Sequence, residues 1–151
     1  MVRTAAVVVL AVVLAACGGT GSSRSAEGAY QQVSDATSTM AGKGATYALI
    51  VQDCTATVHD SADAAACGQQ LLHRLGEDYA PIGAAITALD AVADDACTAK
   101  IRKAVDDAPL ITGHDPSPAT TEQEVEALGN ETADQLQQFA QEIALAGSAC
   151  G

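Results

Sequence analysis

The chain contains no tryptophan, one phenylalanine and three tyrosines. So few aromatic side chains offer little for the apolar pocket that a haem group requires. Of its two methionines one is the initiator, so the thioether clusters of extracytoplasmic copper sites are missing. Lysine and arginine total 7 against 19 carboxylates, a formal net charge of −12. A surface of that sign repels nucleic acid and anionic lipid headgroups, which excludes nucleic acid as a partner. The longest apolar run covers about 12 residues, well short of the roughly 20 needed for a membrane-spanning helix.

Catalytic signatures are also missing. There is no G-x-S-x-G nucleophile elbow and no H-E-x-x-H pair. Asp94-Asp95 and Asp106-Asp107 are adjacent pairs, and neighbours on a helix diverge by about 100°. They read as solvated faces. No two cysteines show C-x2-C spacing and no histidine sits at ligand spacing beside them, so a zinc site is not expected. The chain reads as non-enzymatic, and no cofactor is expected.

What is present begins at the N-terminus. Arg3 precedes the apolar run Ala5 to Val13, which leads into Leu14-Ala15-Ala16-Cys17 and then Gly18-Gly19-Thr20-Gly21-Ser22-Ser23. A charged start, an apolar core and a small-residue cleavage site form an export signal. With cysteine directly after that site, the segment resembles the lipobox of bacterial lipoproteins. The resemblance implies that residues 1–16 are a removed signal peptide and that Cys17 carries a diacylglyceryl group. Two acyl chains on one residue anchor a protein stably, whereas one chain binds only marginally. The protein is then held on the extracytoplasmic face of the cell membrane through Cys17. Residues 17–25 form a flexible tether whose eight Gly/Ser-rich positions reach about 16 Å. The high use of Ala, Val and Asp with few lysines is similar to that of actinobacterial proteins and of actinobacterial phages.

Removing residues 1–16 takes away Arg3 alone among the charges, leaving 6 basic residues against 19 acidic ones, or −13. The remaining 135 residues suit one domain, residues 26–151. Four cysteines stay in it: Cys54, Cys67, Cys97 and Cys150. An even count in an exported chain predicts two disulfides. Much of the 48% apolar content is alanine, which buries little area, so crosslinks worth about 2–4 kcal/mol each supply much of the stability.

The expected fold is all-α, a small disulfide-stabilised bundle of four to five helices. Val125, Leu128, Thr132, Leu136, Phe139, Ile143 and Ala146 recur at intervals of three and four, one stripe of an amphipathic helix. Thr121 with Glu124 resembles a capping box at its start, Gly147 marks its end, and Gly129-Asn130 is a weak point. Pro81 opens a second long helix that reaches Asp107. A shorter helix runs from Asp60 to Gly76, where glycine ends it. Upstream, Ala26, Tyr30, Val33, Thr37 and Met40 have helical spacing, with Gly42-Lys43-Gly44 as a break. Residues 45–58 are rich in β-branched side chains, but a lone strand has no partner here, so they too are predicted helical. If residues 58–61 make a tight hairpin, Cys54 faces Cys67 and leaves Cys97 to Cys150. The second pair fits a simple antiparallel hairpin poorly, and the connectivity stays open.

Three histidines complete the candidate residues. His59, Asp60 and Asp63 form the densest nitrogen-and-oxygen cluster, a candidate metal site competing with a plain helix cap by Asp60. His73 lies on the helix from Asp60, and His114 lies with Asp115 in a loop from Pro109 to Ala119. The composite expectation is a lipid-anchored binding or interaction module whose partner is an envelope protein. The alternatives are a small-ligand or metal-binding lipoprotein and a prophage-type exclusion lipoprotein.

Overall fold

The computed structural model describes residues 25–113 and 118–150. These residues form five helices: α1 (Ala26–Ala41), α2 (Gly44–Thr55), α3 (Ser61–Asp90), α4 (Asp95–Asp106) and α5 (Glu122–Cys150). No strand occurs among the described residues, so the segment rich in β-branched residues is helical as α2. No described helix is long and apolar enough to cross a membrane. Cys17 and His114 lie outside the described residues.

Helix starts follow side-chain chemistry. The Ser25 hydroxyl accepts from the Gly28 amide at 3.1 Å and opens α1. Asp60 opens α3 by accepting from the amides of Ala62 and Asp63 at 2.9 and 3.0 Å. At α5 the Glu124 amide donates to Thr121 Oγ1 at 3.2 Å. The Glu124 carboxylate reaches one residue further back than a capping box would, to the Thr120 amide and hydroxyl at 2.6 and 2.7 Å.

Three expected boundaries are corrected. The helix predicted to stop at Gly76 and the one predicted to start at Pro81 are a single 30-residue α3. A glycine in a helix costs about 1 kcal/mol and an interior proline about 3. Against that, Leu75, Ile82 and Leu89 are completely buried along one stripe of α3. Burying each such side chain contributes about 1.5–3 kcal/mol, so packing outweighs the local breakers. The true break is at Ala91–Asp94, because Asp94 caps α4 by accepting from the Cys97 amide at 2.9 Å. Gly147 likewise does not end α5, which continues to Cys150. A Cβ at Gly147 would lie 2.8 Å from the Tyr30 hydroxyl, so the glycine makes room for a ring rather than for a turn. Tyr30 uses that room to donate to the Ile143 carbonyl at 2.7 Å.

α5 is the central element and touches each of the other four helices. Its Phe139 and Ile143 meet Val33, Met40, Leu71, Leu75, Ile82 and Ile101 in the main core. A smaller cluster of Cys54, Ala64, Cys67, Ala119 and Val125 closes one end. The disulfides are Cys54–Cys67 and Cys97–Cys150, with Cα separations of 5.6 and 4.7 Å. The second pair is comfortable because Cys97 stands in the first turn of α4 rather than midway along a longer helix. α4 then runs antiparallel to α5: Cys97 meets Cys150, and beyond α4 the Leu110 amide donates to Gln135 Oε1 at 3.0 Å.

Candidate binding groove

α2, like α4 only 12 residues long, covers only part of α5. Where it crosses, contact depends on glycine: a Cβ at Gly129 would stand 2.8 Å from Val51 Cγ2. The residue expected to weaken α5 is therefore the seat of its neighbour. Beside this contact the facing positions are small, and the helices leave a groove of about 380 Å³. Tyr47, Ala48 and Val51 form one wall and Thr132, Ala133 and Leu136 the other. Gln52, Thr55, Glu126 and Asn130 stand around it. A second hollow of about 520 Å³ shares Gly44, Ala133 and Leu136 with the first. It continues along α5 past Gln137, Ala140 and Gln141 to Ala144.

The Tyr47 wall is fixed from behind by charge. The Tyr47 hydroxyl donates to Asp78 Oδ2 at 2.9 Å, and Lys43 Nζ donates to Asp78 Oδ1 at 2.6 Å. Arg74 Nε lies 3.1 Å from Asp78 Oδ2, paired in charge but misaligned for a hydrogen bond. The Asp78 side chain is only 6% exposed. Burial pushes its pKa up, but the hydrogen bonds from Lys43 and Tyr47 and the Arg74 charge more than offset this. The carboxyl is held below its ordinary value. Burial and the hydrogen bond to Asp78 push the Tyr47 phenol upward, so it stays neutral and donating. A carboxylate on the buried stripe of α3 thus ties α1–α2 to the bundle.

The sequence-derived candidates lie elsewhere. Asp60 is the cap of α3, and Asp63 Oδ2 accepts from the His59 amide at 3.0 Å. Both carboxylates serve the helix start, and the His59 side chain is exposed. Among the described residues no group of three or more His, Cys, Asp or Glu side chains is placed to hold a metal ion. His73 is exposed on α3 with Nδ1 3.8 Å from Glu77 Oε1. Asp94 caps α4, and Asp107 pairs with Lys103, which answers for two of the adjacent carboxylates.

Sequence reasoning missed the groove and the Asp78 cluster. Asp78 carried a signal, for it interrupts the spacing of Leu71, Leu75, Ile82, Ala85 and Leu89 on the buried side of α3. A carboxylate on such a stripe calls for partners. The small residues Gly129, Ala133, Ala140 and Ala144 also recur on one side of α5, but only its pairing with α2 makes them a groove.

The fold and the groove define a small, disulfide-stapled helical bundle with an elongated, mainly apolar trough along its central helix. No protein-family model, curated protein or solved structure matches this chain.

Proposed function

We propose that this protein is a lipid-anchored binding module on the extracytoplasmic face of the cell membrane, which engages an envelope protein through the α2–α5 groove. The groove carries the reading. It is concave, lined mainly by apolar side chains, edged by the amides of Gln52, Asn130 and Gln137 and by the Glu126 carboxylate, and open along its length, a form suited to holding another molecule. The anchoring half rests on Leu14-Ala15-Ala16-Cys17 and agrees with two disulfides, which persist in oxidising compartments. The acidic domain has no affinity of its own for anionic headgroups, so the lipid on Cys17 supplies attachment.

Membrane fractionation and site-specific photocrosslinking test both halves in cells. The wild-type chain sediments with membranes, whereas Cys17→Ala is released or stays as uncleaved precursor. A photoreactive residue at exposed, groove-lining Gln137 crosslinks to an envelope protein, and one at exposed Lys100 on α4 does not. A Cys17→Ala chain that stays anchored and normally processed defeats the anchoring half. No adduct at Gln137 in intact cells defeats the binding half.

A further inference from the structure

The groove has a pronounced electrostatic setting. α5 carries Glu122, Glu124, Glu126, Glu131, Asp134 and Glu142, and no lysine, arginine or histidine. α2 carries no basic residue either. Glu126 lies in the groove lining and Asp134 follows the lining residue Ala133. Neither makes a hydrogen bond or ion pair with another described residue, in contrast to Glu124, Glu131 and Glu142. The nearest cation in sequence, Lys43, is committed to Asp78. The cations behind the Tyr47 wall, Lys43 and Arg74, are both paired with Asp78, so among the described residues the Glu126–Asp134 border of the apolar trough carries negative charge that no ion pair offsets.

Exposed apolar side chains also stand on the two helices that form the trough. Leu49 on α2 and Leu145 on α5 are 57% and 73% exposed, two of only three large hydrophobics so placed among the described residues. Leu49 follows the groove residue Ala48, and Leu145 follows Ala144. From Glu126 to Ala144 the trough follows α5 for about 27 Å, or five helical turns.

We infer that the groove accepts a cationic amphipathic helix of a partner protein, its apolar stripe in the trough and its basic flank against Glu126 and Asp134. This rests on the binding reading above and specifies the partner. The occupant is helical because no strand edge among the described residues offers backbone pairing, so a peptide laid in an apolar trough must satisfy its own amides. Small side chains at Gly44, Ala48, Ala133 and Ala140 let a helix approach closely. The basic flank follows from charge complementarity, which also speeds encounter and rejects acidic partners.

The test uses the full chain in nanodiscs of zwitterionic phospholipid, with the photoreactive residue at Gln137 or at Lys100. The probes are three biotinylated 18-residue helices: leucine stripe with lysine flanks, leucine stripe with glutamate flanks, and serine stripe with lysine flanks. The leucine–lysine helix labels Gln137 and not Lys100, and each of the other two labels it about tenfold less. Ala133→Trp fills the trough at an exposed position and lowers labelling about tenfold, with the helical circular-dichroism spectrum unchanged. Glu126→Lys with Asp134→Lys lowers it severalfold and weakens its dependence on salt. Equal labelling by the glutamate-flanked helix, equal labelling at Lys100, or labelling that survives Ala133→Trp overturns the inference. So does a lipid acyl chain retained by the wild type and lost in Ala133→Trp, with no peptide labelled. An envelope adduct at Gln137 in cells alongside failure of the leucine–lysine helix leaves the binding reading standing and removes only the partner assigned here.

Discussion

The Tyr47 hydroxyl donates to Asp78 Oδ2 at 2.9 Å while the Tyr47 ring lines the groove, so the trough wall and the buried charge share one side chain. The shape of the binding surface is thereby linked to the ionisation of a carboxylate on α3.

Asp78→Asn keeps the shape but removes the charge that Lys43 and Arg74 face. Breaking a buried ionic network typically costs about 3–5 kcal/mol; Lys43 is 36% exposed, so about 2–3 kcal/mol is expected in urea denaturation. The pH dependence follows from the sign of the shift. The folded carboxyl ionises below its unfolded value of about 3.9, so the unfolded chain binds more protons in that range. The stabilisation is complete above about pH 5 and is lost as pH falls through the folded pKa. The wild-type urea midpoint therefore drops between pH 5 and 3 by more than that of Asp78→Asn. Parallel pH profiles for the two proteins would refute the assignment.

At Gly129 two effects of opposite sign compete. Alanine improves helix propensity by about 1 kcal/mol, but its Cβ would stand 2.8 Å from Val51 Cγ2. Valine is stiff at χ1 and cannot swing away, and such overpacking costs about 1–3 kcal/mol. Gly129→Ala thus destabilises the wild type by up to about 2 kcal/mol, the difference of those terms. In a Val51→Ala background both Cγ contacts are gone and only the Cβ at 3.3 Å remains, so the same change costs less. A double-mutant cycle read by thermal unfolding checks the coupling between the two positions, and additive effects would refute it.

These residues also indicate which features can be read along a chain and which cannot. α5 was legible because its stripe from Val125 to Ala146 has an unbroken helical period and Thr121 sits where a cap belongs. The all-helical fold followed because no segment offered a strand partner. Gly76 and Pro81 misled because local breakers weigh about 1–3 kcal/mol and burial of Leu75, Ile82 and Leu89 outweighs them, whereas Gly147 on α5 makes room for the Tyr30 ring. The groove was not legible because it is a space between helices. Ala133 and Ala140 look like any other small residues until α2 is laid beside them.

The two disulfides close loops of very different size, and their removal should differ accordingly. Cys54–Cys67 spans 13 residues and Cys97–Cys150 spans 53. The chain-entropy relation assigns the first about 3 kcal/mol and the second about 4. Position adds to the difference. The longer crosslink ties the start of α4 to the end of α5 against the main core, whereas the shorter one lies in the satellite cluster with Ala64 and Val125. Replacing Cys97 and Cys150 by serine therefore lowers the urea midpoint more than replacing Cys54 and Cys67. Amide hydrogen exchange locates the losses: the first pair of changes speeds exchange along α4 and the last turns of α5. The second speeds it in α2 and the first turns of α3, next to the groove. An equal loss from both pairs, with the same amides exposed, would show that the crosslinks act on one cooperative unit rather than on two ends of the bundle.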